Sequence, residues 1–318
     1  MRNKLFMIAI ITLLMGTIIS LYGCGDLQFP WNPGSEEIYI MDIESGKETF
    51  LAKNSVKHPR FSPQGNNILY IIGYGTNNEG IYTINIDGTD NKNIINEYTN
   101  YAEWSPDGSK IVYIYDGELY IINTDGTNKT LLVTMESNID RPPTWSSNGK
   151  EIVIYCDNEK IYVYSIDRGT IEVEIAYNAD PLFSVLGEKV NFATRDGIYI
   201  SNLDGTNKTK IADYGLQPRW SPSGAKIMFV SGEAFWIMNN DGTNKNMIVD
   251  VGAKGISWPF LWLADETKII YPSYGVGGSS GGLYLVNIME KTEKYLTGGE
   301  DPSMSPDGKT IVYLRRID

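Results

Sequence analysis

Histidine occurs once in this 318-residue sequence, at position 58, and cysteine twice, at positions 24 and 156. A single imidazole cannot build the multi-histidine shell of a catalytic metal ion. It also lies upstream of "GGSSG" (277–281), whereas a G-x-S-x-G nucleophile elbow needs a later histidine and a following helix. So few cysteines exclude a disulfide-stapled scaffold. Cys156, within "EIVIYCDNE", reads as a buried strand thiol. Positive charge is short as well: 27 Lys and Arg stand against 39 Asp and Glu, a net charge of -12. A surface of that sign repels phosphate backbones and argues against nucleic-acid binding. Helical periodicity is missing, since apolar residues recur at intervals of two rather than three and four. What is present is ample core material, 42% hydrophobic and 12% aromatic, which excludes a disordered chain.

The first residues, "MRNKLFMIAIITLLMGTIISLYGCG", place Arg2 and Lys4 before an apolar run from Leu5 to Tyr22 and small residues around Cys24. That order is the anatomy of an export signal. Leu21-Tyr22-Gly23-Cys24 resembles a bacterial lipoprotein box, and the resemblance implies lipidation of Cys24 after removal of residues 1–23. The alternative is an uncleaved span, for which the apolar run is just long enough. Residues 24–35, rich in proline and glycine and without a period, read as a tether, so residues 36–318 are expected outside the cytoplasm and membrane-anchored.

The rest of the chain repeats. Aligning on the residue before "SPDG" gives seven anchors, Phe61, Trp104, Trp145, Phe183, Trp220, Trp262 and Met304, spaced 37 to 43 residues apart. Seven positions after them stand Ile68, Ile111, Ile152, Val190, Ile227, Ile269 and Ile311. Within a unit, "PRWS", "AKIMFV", "AFWIMN" and "KNMIVD" read as four strands, with turns at Ser-Pro-Ser-Gly and Asn-Asp-Gly-Thr-Asn. A period near forty built of strands predicts a β-propeller. The repeat opens with an orphan second half (Glu36–Ala52) and stops after an orphan first half (Pro302–Leu314). These two pieces are expected to share one sheet. The fold class is therefore all-β: a seven-bladed β-propeller of four-stranded blades, closed by N-terminal strands that complete the C-terminal blade.

The unit P-x-[WF]-S-P-D-G-x-x-I-x-Y…G-x-[IL]-Y-x-x-x-x-D-G-T-N resembles the WD-repeat-like propeller units of the TolB type, over Glu36 to Asp318. The copies at Phe183 and Trp262 depart from it, with "SVLG" and "LADE" in place of "SPDG". The resemblance implies a propeller and leaves function open, because the fold hosts binding modules and enzymes alike. TolB itself has six blades, so its cellular role is not carried over.

Strand direction puts the "SPDG" and "DGTN" turns on one face, the lower, and the variable loops on the other, the upper, where selectivity can be built. One carboxylate per "DGTN" turn (Asp87, Asp125, Asp204, Asp241), each on its own blade, cannot form a six-oxygen calcium shell. On the upper face, the slots one and three places before the anchors carry a candidate polar ring of His58, Arg60, Tyr101, Glu103, Asp180, Gln217, Arg219 and Asp301. Such a ring at the channel mouth can hold one polar ligand from several sides; otherwise it is a solvated rim of weak ion pairs. The upper loops Gly73–Gly80 and Pro272–Gly282 add Tyr74, Asn77, Asn78, Glu79 and Tyr274 as recognition residues.

The expectation is a non-catalytic, membrane-tethered, extracytoplasmic module that binds another envelope protein and uses no cofactor and no metal, with its oligomeric state open. The alternative is a sensor of a small molecule or glycan at the channel mouth. A lyase or hydrolase is a third reading. Lyase sites of related propellers rest on several histidines around a metal, and no nucleophile–base pair or ligand set can be assembled from this sequence.

Overall fold

The computed structural model describes residues 36–316, apart from residues 54, 74, 140, 178 and 276–280 and the side chains of 177 and 179–183. The expected export signal (1–23), Cys24 and the expected tether (24–35) lie outside these residues. The described chain forms seven four-stranded antiparallel sheets. Blade 1 comprises Val56–Phe61, Asn67–Ile72, Gly80–Asn85 and Lys92–Ile95, and blades 2 to 6 follow in chain order with the same up-and-down connection. Blade 7 is composite. Glu300–Met304 and Thr310–Arg316 supply its inner half, Glu36–Asp42 and Glu48–Lys53 its outer half. The seam is a continuous antiparallel ladder from Glu36↔Arg316 to Asp42↔Thr310. The predicted closure is therefore the observed one, and Glu36 lies at the upper end of its blade, away from the Ser-Pro-Asp-Gly turn.

The sequence of each second strand explains the ring. In "NILYII" almost every residue is apolar, and alternate side chains point to opposite faces of the blade. Ile68 and Tyr70 join the core shared with blade 7, while Leu69 and Ile71 join the core shared with blade 2. Seven such clusters occur among the described residues, one at every junction of neighbouring blades. Each fully buried isoleucine or leucine there contributes about 1.5–3 kcal/mol. The tyrosines belong to this scaffold. Second- and third-strand rings stack across the sheet, as in Tyr70–Tyr82, Tyr113–Tyr120, Tyr271–Tyr284 and Tyr313–Tyr39. Cys156 is buried too, and burial pushes its thiol up to about 12, so it is inert at neutral pH.

Six anchors pair with the residue seven places on, from Phe61↔Ile68 to Met304↔Ile311. Blade 4 departs from that pattern. Lacking Pro-Asp after its serine, the strand runs on to Leu186 and turns tightly at Gly187, so Phe183 pairs with Phe192 and Val190 with Val185. In blade 6 "LADE" keeps the usual turn, with Glu266 in the left-handed conformation that glycine takes elsewhere. Pro272 and Ser273, expected in a loop, end the second strand of blade 6, so that loop starts at Tyr274.

The lower turns also touch one another around the ring. A Cβ at Gly65 would stand 3.1 Å from Pro306 of the previous blade, and one at Gly308 2.6 Å from Ala264. Gln64 reaches the Asp107 carbonyl at 2.8 Å, Ser147 Oγ accepts from Gly187 N at 3.1 Å, and Glu266 accepts from Ser223 N at 2.6 Å. The "DGTN" carboxylates are consumed locally: Asp87 Oδ1 accepts both the amide and the hydroxyl of Thr89, and Asp125, Asp204 and Asp241 repeat the arrangement.

The seam of blade 7 carries a polar clasp. Arg315 donates to Glu48 Oε1 at 2.6 Å, to Thr297 Oγ1 at 2.6 Å and to the Tyr313 hydroxyl at 2.8 Å, and lies over the Tyr39 ring. It thereby joins the two chain segments of blade 7 to blade 6. Arg315→Ala is expected to lower stability by about 2 kcal/mol in urea unfolding, since Glu48 loses a charged donor. Arg316→Ala, at an exposed pair with Glu300, is expected to cost under about 0.5 kcal/mol.

Candidate functional site

First strands of neighbouring blades contact one another and so line the central channel. At its upper mouth, four of these strands contain a register shift, at Lys57/Arg60, Ala179/Phe183, Leu216/Arg219 and Glu300/Ser303. In blades 1, 5 and 7 this bulge puts His58, Gln217 and Asp301 at φ of 49°, 55° and 48°. Each precedes a proline, whose ring disfavours the right-handed helical region for its neighbour. A non-glycine residue held at positive φ costs on the order of 1–3 kcal/mol. That cost recurs at equivalent slots of blades 1, 5 and 7, and the bulge aims those side chains at the mouth.

On blades 7, 1 and 2 the expected ring residues converge. The Arg60 guanidinium lies between two carboxylates, with Nη1 2.9 Å from Asp301 Oδ1 and Nε 3.2 Å from Glu103 Oε1. His58 Nδ1 is 3.0 Å from Asp301 Oδ2, and its ring sits 5.3 Å from that of Tyr101. Arg60 also donates to the Pro59 carbonyl, while its own carbonyl accepts from the Trp104 indole at 3.2 Å. Five of the eight ring residues thus form one cluster bridging three blades. Gln217 and Arg219 stand on blade 5, and the Asp180 side chain lies outside the described residues.

The two carboxyls are driven apart. Burial raises that of Asp301, but Arg60 and His58 overcome it and hold the group well below the usual carboxylate range. At Glu103 burial wins over the attraction of Arg60, and its carboxyl is raised. One arginine so keeps Asp301 ionised while Glu103 takes up a proton more readily. Asp301 uses both carboxylate oxygens within the cluster, one toward Arg60 and one toward His58. The amide oxygen of Gln217 is buried and has no partner among the described residues.

The recognition loops behave differently from one another. Glu79 folds back to accept from Gly75 N at 2.8 Å, and the Asn78 carbonyl accepts from the Tyr82 hydroxyl, so these two close their own loop. No hydrogen bond of Asn77 occurs among the described residues, and Tyr74 lies outside them. Tyr274 stands clear, 59% exposed, with its ring edge-to-face with Trp258 at 6.5 Å. Trp258 is itself 44% exposed, and Tyr214 and Leu216 are exposed on the neighbouring entry to blade 5. Reading the slots around the anchors missed Trp258, Tyr214 and Leu216. The available signal was a large apolar residue inside a loop, in "ISWPF" and "DYGLQ". Among the described residues no three His, Cys, Asp or Glu side chains gather as a metal-ligand set.

Asp301 has a depressed folded-state pKa, so its contribution to stability is complete above its ordinary value of 3.8 and is lost as pH falls below it. Asp301→Asn is expected to destabilise the protein by about 3 kcal/mol at pH 7, as breaking a buried pair does. The gap from the unsubstituted protein, followed by urea unfolding at several pH values, is expected to shrink only below that pH.

No curated protein matches the chain in sequence. Among solved structures it is similar to a putative TolB from Agrobacterium tumefaciens, with 19% identity and a TM-score of 0.56 over 90% of this chain and all of that one. It is also similar to an oligogalacturonate lyase from Vibrio parahaemolyticus, with 13% identity and a TM-score of 0.65 over 90% of this chain and 98% of that one. The C-terminal WD40 domain of Sif2 aligns with 16% identity and a TM-score of 0.60 over 91% and 94% of the two chains. At such identities the likeness concerns the fold alone. The family model described as the TolB beta propeller domain matches residues 29–154 and 115–318, nearly the whole chain, and the protein belongs to that family.

Proposed function

We propose that this propeller is a non-catalytic protein-binding module, held outside the cytoplasm through a lipidated Cys24, that engages another envelope protein with its upper face. The observation that carries the reading is the aromatic pair Trp258 and Tyr274, both exposed on the variable loops of blade 6. Large rings with few rotatable bonds bury much area at low entropic cost, which makes them anchors of protein interfaces. Tyr214 and Leu216 extend the apolar surface toward blade 5.

A second reading, a small polar ligand or glycan at the channel mouth, draws on Gln217, whose buried amide oxygen has no partner among the described residues. Under it, a hydroxyl or amide donor would fill that position. A panel of sugars and peptides that leaves the melting temperature unmoved counts against it.

The first reading is tested in intact cells with a photoreactive phenylalanine in place of Tyr274 and, separately, of Met289 on the lower face. Crosslinking from position 274 to one envelope protein, abolished by Trp258→Ala and absent from position 289, is the expected outcome. Equal labelling from both positions, or none from 274, refutes it. Cys24→Ala is expected to move the protein from the membrane to the soluble fraction, read by fractionation.

A further inference from the structure

Five lower turns share one construction. A buried serine (Ser62, Ser105, Ser146, Ser221 or Ser305) opens each, and the glycine three places on donates its N–H to the serine carbonyl at 2.8–3.0 Å. In blades 2 and 7 the residue before that glycine is an aspartate. Its carboxylate accepts from the serine hydroxyl and from the amide two places on. In blade 3 Asn148 holds this position, and its Oδ1 makes the same two contacts, to Ser146 Oγ at 2.7 Å and to Lys150 N at 2.9 Å.

The reason for an amide there lies five places after the serine. Blades 2 and 7 carry Lys110 and Thr310 at that position, whereas blade 3 carries Glu151. Glu151 Oε2 lies 2.8 Å from Ser146 Oγ, so a carboxylate and an amide oxygen meet on one hydroxyl with a single proton to give. Ser146 is fully buried. A carboxylate at position 148 would stand across that hydroxyl from Glu151, and like charges held so close repel. Asp107 and Lys110, which line the neighbouring groove, carry opposite signs and offset each other. Asn148-Gly149 is also the single Asn-Gly step in the sequence, and Asn148 is exposed. With no Cβ on the following residue, the main-chain nitrogen has an open approach to the asparagine Cγ. In the closed turn that nitrogen is held on the Ser146 carbonyl at 3.0 Å, so its attack requires the turn to open.

We propose that Asn148 is a site of spontaneous deamidation, gated by opening of the blade 3 turn, and that the acidic product loosens this turn. The Gly149 nitrogen bonds to Cγ of Asn148 and gives up its proton, and the side-chain nitrogen leaves as ammonia. Water then opens the succinimide at either carbonyl, giving aspartate or isoaspartate without any change of oxidation state. Both products set a new negative charge near Glu151, and isoaspartate adds a carbon to the main chain of the turn. The site is separate from the upper surface assigned to protein binding and stands without it. It is tested on the full chain in detergent, incubated in mildly alkaline buffer with and without urea, by following the amide-to-acid mass gain of each asparagine-containing peptide. In urea Asn148 is expected to convert ahead of every other asparagine, and in the folded protein at least about tenfold more slowly, as gating by local opening requires. Asn148→Asp is expected to raise the unfolded-to-folded ratio about fivefold in urea titrations. Measured against Glu151→Gln alone, the same change is expected to cost much less, which isolates the repulsion between the two carboxylates. Another asparagine converting first in urea, equal rates in the folded and unfolded chain, or an Asn148→Asp effect that is absent or indifferent to Glu151→Gln overturns the proposal.

Discussion

The antiparallel pairing of Glu36–Asp42 with Thr310–Arg316 is the contact on which the remaining structure depends. Blade faces are apolar on both sides, so each blade is stable only between two neighbours. The cores on either side of blade 7 draw on both its halves: Ile38 and Leu51 with Val312 on one side, Met41 with Ile311 and Tyr313 on the other. Without the seam two of the seven cores would each lose a wall. The Arg315 clasp adds direction to a ladder whose backbone hydrogen bonds carry no identity of their own, because it accepts one register between Glu48, Thr297 and Tyr313.

The cluster at the channel mouth has the same logic one layer further in. A guanidinium removed from water requires two carboxylates to hold it, and these come from the blades on either side of its own. Geometry of this kind specifies which blades adjoin more than it adds net stability. It also separates two chemistries on the upper face. Charge is gathered and satisfied above blades 7, 1 and 2, while exposed aromatic surface is gathered above blades 5 and 6.

Much of this was legible from residues alone, and the reasons are physical. Alternation at two, Asp-Gly turns and a phase that begins mid-unit determine strands, hairpins and closure, because each depends on local backbone chemistry. The meeting of His58, Arg60, Glu103 and Asp301 was foreshadowed only as equivalent slots. Which slots pair depends on charge complementarity between neighbouring blades, and Gln217 and Arg219 occupy the same slots without joining the cluster. Blade 4 escaped the pattern because losing Pro-Asp let a strand lengthen, shifting Phe183 against Phe192. The aromatic surface escaped it because Trp258 and Tyr274 belong to different loops, which approach only through the order of strands in blade 6.

A composite blade has a cost in time. Arg315 and Glu48 stand 267 positions apart, so the strand that ends the toroid is synthesised long after the one it must join. Contacts of such separation form slowly, and until they do the unpaired edge of Glu36–Asp42 remains open to other strands. Until the last strand is made, that edge of Glu36–Asp42 has no partner, so the ring can close only once the whole chain is available.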